Sequence, residues 1–166
     1  MSIPKPQQGQ IIRYSYVWHR EAMQGREEGR KDRPCVIVVA TKDDRVAVVP
    51  ITHTKPDAQT PALEIPAEVS KRAGLDHERS WVVANEVNVF KWPGQDIRRA
   101  TPDSWIFGQL PPNFTKAIID GVQRQRGRMK TISRDDPLPK KDWGKKAEPS
   151  KPRPAPRPSK DMDRSR

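Results

Sequence analysis

The chain has 166 residues and a formal net charge of +11, from 32 Lys and Arg against 21 Asp and Glu. This length is typical of one domain with appendages. No run of about 18 apolar residues occurs, and the opening MSIPKPQQGQ has no apolar segment, so we expect neither a membrane span nor a signal peptide. The single cysteine, Cys35, excludes an intramolecular disulfide and a cysteine-based zinc cluster. The composition therefore predicts a soluble, cytoplasmic protein.

Most of the excess positive charge lies near the C-terminus. Residues 127–166 hold 13 basic and six acidic side chains, seven of the 18 prolines and few large apolar side chains. Such a segment cannot bury enough apolar surface to offset the entropy lost on ordering. We therefore expect a folded domain over 1–132 and a disordered Pro/Lys/Arg-rich tail over 133–166. The tail is interpreted as a solubilising segment, with a polyproline ligand or a cationic arm as alternatives.

The first half of the chain predicts strands. Gln10–Trp18 is rich in β-branched and aromatic residues, and a densely charged loop over Glu21–Asp32 follows. Two apolar runs, Pro34–Thr41 and Arg45–Thr52, flank the turn sequence KDD and predict an antiparallel hairpin. A turn near Asp43 and Asp44 would place position 34 opposite about position 53.

The second half predicts short strands and one long helix. ALEIP suggests a strand, AEVSKRAGL one or two helical turns, and Ser80–Phe90 a strand with a bulge or bend near Asn85. The last predicted element is a helix in PPNFTKAIIDGVQRQRG, which Gly127 ends. This pattern predicts a mainly β protein, a small SH3-like barrel with a packed C-terminal helix. Its thin core would gain from a dimer interface.

Several common sites are missing from the sequence. It contains neither G-x-x-x-x-G-K nor G-x-G-x-x-G, so no nucleotide-phosphate loop is expected. His19, His53 and His77 are scattered and form no H-x-x-x-H pair, so we expect no metal site and no cofactor. A nuclease built on this chain would have to take its cation and its proton carriers from side chains.

Arg33, Thr52 and His53 are the residues whose chemistry and placement suggest a catalytic site. The hairpin would bring them to the same end of the two strands. A guanidinium stabilises a phosphorane-like transition state, a threonine hydroxyl donates to a phosphoryl oxygen, and a histidine, with an ordinary pKa near ~6.5, carries protons. The alternatives are an Arg33 ion pair with Asp32 or Glu28, and purely structural roles for the threonine and the histidine.

The same residues lie in segments that resemble a known family. GQIIRYSYVW, EEGRKDRP with the apolar strand after it, VVPIT and SWVVANEVN resemble the PemK/MazF toxins of bacterial type II toxin–antitoxin pairs. The resemblance covers most of Gln8 to about Gln125, and the spacing from RP to P-x-T is its most specific part. It implies an SH3-like barrel homodimer that inhibits growth as an endoribonuclease of the mRNA interferase type, cutting single-stranded RNA until a cognate antitoxin silences it.

The resemblance also implies site residues. The family's catalytic arginine and threonine correspond here to Arg33 and Thr52. The family chemistry needs no metal, because the ribose 2′-OH attacks the adjacent phosphate and leaves a 2′,3′-cyclic phosphate and a 5′-OH.

The sequence departs from the family at two places. Some members carry an Arg-x-Asp pair on the later strand, where this chain has Ala84 and Glu86. Others carry a histidine in the first loop, which this chain lacks between positions 26 and 30. His53, or alternatively His19, would replace that histidine.

Substrate contacts are predicted from the charged loop and from one aromatic turn. The loop could close over a polyanion, and acidic antitoxin residues would compete for its arginines. Aromatic side chains stack on unpaired bases; Trp81 and Phe90 are better explained as core or dimer contacts, which leaves the turn tryptophan as the stacking candidate. The predicted substrate-binding residues are Arg30, Lys31, Glu86 and Trp92.

Two other functions stay open. The barrel could bind RNA or another macromolecule without cutting it, since the Arg-x-Asp pair is broken and the tail is basic. It could also be a toxin of the CcdB kind that inhibits DNA gyrase, against which the RP and P-x-T segments argue.

Overall fold

Nine strands and three helices form the part of the chain that the computed structural model describes, residues 3–25, 31–76 and 78–134. The mainly β class is confirmed, whereas the tail beyond Arg134 lies outside the described residues and its boundary stays a prediction. The strands are β1 (Gln10–Tyr14), β2 (Arg33–Ala40), β3 (Arg45–Thr52), β4 (Ala62–Glu64), β5 (Trp81–Val83), β6 (Glu86–Lys91), β7 (Ile97–Arg98), β8 (Ile106–Gln109) and β9 (Lys130–Ser133). The helices are α1 (His19–Ala22), α2 (Ala67–Arg72) and α3 (Pro112–Arg124).

The strands form one sheet in the order β4-β5-β3-β2-β1-β7, with β6 beside β3, β8 beside β1 and β9 beside β6. Every pairing among these described strands is antiparallel except that of β6 with β9. The long strand β3 pairs with β6 along its first half and with β5 at its end, so the sheet divides there. The described strands form an open sheet, and the β-rich fold with a packed helix that the sequence predicted is confirmed.

The β2–β3 hairpin is confirmed, but its register differs from the predicted one. Asp44 closes the turn with φ of 66°, a left-handed conformation that aspartate tolerates. Cys35 lies opposite Pro50, so position 34 is level with position 51 and not with position 53. A bulge in β2 between Ile37 and Val39 takes up an extra residue and accounts for part of the shift. Arg33 is therefore level with Thr52.

Other element boundaries also differ from expectation. The first strand ends at Tyr14 rather than at Trp18, and α1 occupies the start of the predicted loop, because the Glu21 side chain caps the Trp18 amide at 3.2 Å. The break at Asn85 is confirmed, since β5 ends before it and β6 begins after it. The long helix is not the last element, because Lys130–Ser133 adds β9 to the sheet.

Both faces of the central strands are buried. Ile11 packs in a first apolar cluster with Ile118 of α3, and its neighbour Ile12 packs in a second cluster with Phe90. Successive side chains of a strand point to opposite faces. The two clusters therefore explain why the sequence of β2 is almost continuously apolar. Of the described residues, none forms a helix long and apolar enough to cross a membrane.

Gly108 of β8 lies against the end of α2, where no side chain fits. A Cβ at this position would overlap the carbonyl group of Ala73. We expect Gly108→Ala to lower the free energy of unfolding by about 1–3 kcal/mol, because overpacking forces the backbone to move. Urea unfolding measures the loss. Gly121→Ala is the control, since its Cβ would make an ordinary 3.4 Å contact with Leu63 and alanine favours the helix; equal losses for the two variants would contradict the explanation.

Candidate active site

A cleft of about 760 Å³ opens where β2 begins and β3 ends, bordered by α1 and by the break between β5 and β6. Five of the residues predicted for the site line it: Lys31, Arg33, Thr52, His53 and Glu86. Two others are not placed there. Arg30 lies outside the described residues, and Trp92 is buried in the second apolar cluster, where its Nε1 donates to the carbonyl oxygen of Pro4 at 2.9 Å.

Arg33 has a guanidinium that the fold holds only in part. Its Nη1 donates to the carbonyl oxygen of Ile51 at 3.3 Å, and its Cζ lies 5.0 Å from the centre of the Trp18 ring. Its Nε is buried and has no hydrogen-bond partner among the described residues. Burial is the main cause that lowers the pKa of Arg33 from its usual value. A desolvated cation with an unused donor is suited to binding an anion.

Asp32, the neighbour of Arg33, makes its contacts elsewhere. Its Oδ2 lies 3.5 Å from Nε of Arg13 and 4.0 Å from Nε of Arg98. The predicted ion pair of Asp32 with Arg33 is therefore not found among the described residues. Asp32 pairs with Arg13 and Arg98 instead, and the Arg33 guanidinium lies against the Trp18 ring.

Trp18 lines the cleft and was missed by the sequence analysis, which had placed it in a strand. Besides Arg33, the guanidinium of Arg20 lies 5.1 Å from the ring centre, and the Tyr16 ring meets it edge-on at 5.4 Å. Stacking against an aromatic face limits the orientations of a guanidinium. Trp18 therefore helps to aim Arg33, and no pattern in the sequence signals this role.

Glu86 is buried at 8% exposure, and its Oε1 accepts two hydrogen bonds. The donors are the Tyr16 hydroxyl at 3.1 Å and the backbone amide of His19 at 2.9 Å. Burial, followed by the charge of Glu86, raises the pKa of Tyr16 well above its usual value, so the phenol remains a donor. Asn88 ties the same segment to β6, exchanging two hydrogen bonds with the Val17 backbone at 3.0 and 2.9 Å. Glu86 and Asn88 thus fix the segment that carries Trp18.

The side chains of Thr52 and His53 differ in the hydrogen-bonding capacity that they have left for a ligand. The Thr52 Oγ1 accepts from the Thr54 amide at 3.1 Å, which leaves the hydroxyl hydrogen for another acceptor. His53 places Nδ1 2.9 Å from the carbonyl oxygen of Arg79 and Nε2 3.0 Å from Oδ2 of Asp76. Because both partners are acceptors, the geometry is satisfied when both ring nitrogens carry hydrogen. The ring of His19, which also lines the cleft, makes no hydrogen bond to a described residue.

Basic residues outnumber acidic ones in the described cleft lining, five against three. Its carboxylates include Asp32 and Glu86, which are already engaged by arginines and by the Tyr16 hydroxyl, respectively. Lys130 lies on β9, opposite Glu86 of β6. This placement depends on a pairing between strands far apart in the chain, so no pattern in the sequence predicts it. Within the described ranges, no group of three or more His, Cys, Asp or Glu side chains could hold a metal ion. The basic residues that line the cleft are Arg20, Lys31, Arg33, Lys55 and Lys130.

Comparison with known proteins gave one result for the sequence. Residues 8–100 match the sequence model of a family described as the PemK-like, MazF-like toxin of type II toxin–antitoxin systems. No curated protein matched the chain. The matched stretch contains Arg33, Thr52 and Glu86 and ends before α3 and β9 begin.

Proposed function

This chain belongs to the PemK-like, MazF-like family of toxins of type II toxin–antitoxin systems, and on that premise we propose that it is an endoribonuclease acting on single-stranded RNA. The observation that carries the proposal is Arg33, a desolvated guanidinium with an unpartnered Nε, in a cationic cleft that Thr52 also lines. A cleft whose basic residues outnumber its acidic ones attracts a polyanion.

The proposed reaction is a transesterification. The ribose 2′ oxygen attacks the adjacent phosphorus, the bond from phosphorus to the 5′ oxygen breaks, and the products carry a 2′,3′-cyclic phosphate and a 5′-OH. Arg33 stabilises the negative charge that grows on the phosphoryl oxygens, and Thr52 donates its free hydroxyl hydrogen to one of them. One side chain takes the proton of the 2′-OH, and a proton is delivered to the leaving 5′ oxygen.

Two histidines compete for the proton-transfer role. Both ring nitrogens of His53 contact oxygen atoms of Arg79 and Asp76, so one of these contacts must break before the ring can exchange a proton with the substrate. The His19 ring lines the cleft without a hydrogen bond to a described residue. We therefore propose His19 as the principal proton carrier and His53 as a residue that shapes the wall of the cleft.

Exchange of each histidine for glutamine tests this assignment. We expect His19→Gln to lower kcat by about 10²–10⁴-fold, the usual contribution of acid–base catalysis, and His53→Gln to lower it by less than about tenfold. Single-turnover cleavage of an RNA oligonucleotide measures both. The opposite ranking of the two variants would return the role to His53.

The reaction is proposed to be independent of metal ions, because Arg33 supplies the positive charge at the phosphate. We expect the purified protein to cut single-stranded RNA in excess EDTA and to leave 2′,3′-cyclic phosphate ends, identified by mass spectrometry. Cleavage that needs added Mg²⁺ would overturn this mechanism. RNA that stays intact but binds with a steep salt dependence would instead support the non-catalytic RNA-binding function.

The family also implies partners for the proposed enzyme. We propose that a cognate antitoxin silences it, that two copies form a homodimer, and that it acts in the cytoplasm, where RNA is available. The cationic side chains around the cleft support an acidic antitoxin segment as the inhibitor.

A further inference from the structure

Three arginines, Arg13 of β1, Arg98 of β7 and Arg99 directly after it, lie together and are called here the arginine cluster. Arg13 and Arg98 are direct cross-strand neighbours of β1 and β7. Arg13 also donates from Nη1 to the carbonyl oxygen of Arg99 at 3.4 Å, and the Arg99 side chain lies over the Trp105 ring at 4.8 Å. The cluster is thus a defined arrangement and not a set of unrelated surface residues.

The arrangement costs stability in the absence of an anion. Like charges directly opposite each other on neighbouring strands repel. The carboxylate of Asp32 reaches both Arg13 and Arg98, at 3.5 and 4.0 Å, and one negative charge cannot balance two positive ones. Both arginine side chains remain nearly half exposed, at 47% and 44%. Within the described part of the chain, their Nη1 atoms donate to the carbonyl oxygens of Arg99 and Gln95, at 3.4 and 2.9 Å, and their Nε atoms face Asp32, which leaves Nη2 of each for a ligand.

The cluster is continuous with the proposed active site. Asp32 lines the cleft and directly precedes Arg33. Arg13 lies opposite Pro34 on the neighbouring strand, and Arg98 lies one strand further on. Because Arg13 lies opposite Pro34 and Arg33 lies opposite Tyr14, the side chains of Arg13 and Arg33 point to opposite faces of the sheet. Asp32, which lines the cleft and contacts Arg13 and Arg98, connects the two sites around the end of β2.

We propose that the arginine cluster binds a second backbone phosphate of the RNA strand whose scissile phosphate lies at Arg33. The proposal rests on the endoribonuclease function proposed above and adds a subsite to it. The Nη2 donors of Arg13 and Arg98 would each give the phosphate one charge-assisted hydrogen bond. Phosphate contacts fix the register of a strand without reading its bases, so the cluster sets how long a substrate must be and not which sequence is cut.

Substrate length provides the test. The double variant Arg13→Gln/Arg98→Gln is compared with the unchanged protein on a dinucleotide, which offers only the scissile phosphate, and on a decanucleotide. For the decanucleotide we expect kcat/KM to fall by about 10–100-fold through KM, and the slope of log kcat/KM against log salt to become shallower by about 0.7, the value for one lost phosphate contact on a single strand. For the dinucleotide we expect kcat/KM to change by less than about twofold.

Arg45→Gln is the matched control. Arg45 also faces a cation across the sheet, Lys91, but at the start of β3, far from Thr52 at its end. It should cut both substrates as the unchanged protein does. Urea unfolding of all the variants separates a binding defect from a folding defect.

The outcomes distinguish this inference from the proposed function. If the unchanged protein cuts neither substrate, the endoribonuclease proposal fails, and this inference falls with it. If it cuts both, and the double variant loses activity equally on both or on neither, the second phosphate site is refuted. Loss of inhibition by a poly-glutamate peptide, with the kinetics on RNA unchanged, would assign the cluster to an acidic protein partner and overturn the inference.

Discussion

We expect alanine at Arg33 to lower the proposed RNA cleavage by about 10²–10³-fold, the loss typical when one donor that stabilises an oxyanion is removed. The reason is that Arg33 lines the cleft with a desolvated guanidinium whose hydrogen bond to the described residues uses only Nη1, so other donors remain for a phosphoryl oxygen. The free energy of unfolding should change by only about 1 kcal/mol, the scale of the lost contact with the Trp18 ring. Single-turnover cleavage and urea unfolding measure the two quantities.

Arg33→Lys is the conservative control for this prediction. Lysine keeps the charge but has neither the planar fork nor the stacking surface, so its activity should lie between those of arginine and alanine. In cells, induction of the Arg33→Ala chain should permit growth where the unchanged chain arrests it. An alanine variant that cuts RNA at nearly the original rate would remove Arg33 from the mechanism.

Alanine at Glu86 lowers the free energy of unfolding by about 2–4 kcal/mol, because two buried donors lose their shared acceptor. These donors are the Tyr16 hydroxyl and the His19 amide, at 3.1 and 2.9 Å from Oε1. The activity should fall as well, since the same contacts hold the segment that carries Trp18. Glu86→Gln keeps an oxygen acceptor and should cost less, about 1 kcal/mol. Urea unfolding of the three proteins measures the effect.

A double-mutant cycle with Tyr16→Phe isolates one of the two contacts. Phenylalanine removes the buried Tyr16 hydroxyl, which donates to Glu86. The losses of unfolding free energy in the two single variants should therefore not add. We expect a coupling of about 1–2 kcal/mol between the two positions. Fully additive losses would mean that the hydrogen bond contributes nothing measurable and that Glu86 acts only through the His19 amide.

The sequence predicted the hairpin that brings the site residues together, but not the register of its two strands. The apolar run of β2 and the motif at the end of β3 were enough to bring Arg33 and Thr52 to one end of a hairpin, because strand pairing follows from a local turn. The register was two residues out at Pro34. A bulge in β2, which has no clear signature in a run of valines and isoleucines, accounts for one of the two, and the position of the turn accounts for the other.

What the sequence could not supply depends on contacts between distant segments. Trp92 lies in a turn sequence typical of an exposed aromatic residue, yet the N-terminal Pro4 and the Phe90 ring cover it. Glu86 was expected to bind substrate, and its carboxylate instead accepts hydrogen bonds from Tyr16 and His19, about 70 positions earlier in the chain. Such pairings of remote residues carry no local pattern from which they could be derived.

The parallel strand β9 determines when, during synthesis of the chain, the cleft becomes complete. A chain is synthesised from its N-terminus, and its N-terminal parts fold first. The cleft acquires Lys130 only when β9 pairs with β6, after α3 has been made. A nascent chain that ends before β9 therefore lacks one of the basic residues that line the cleft, so the proposed active site is complete only after translation has passed β9.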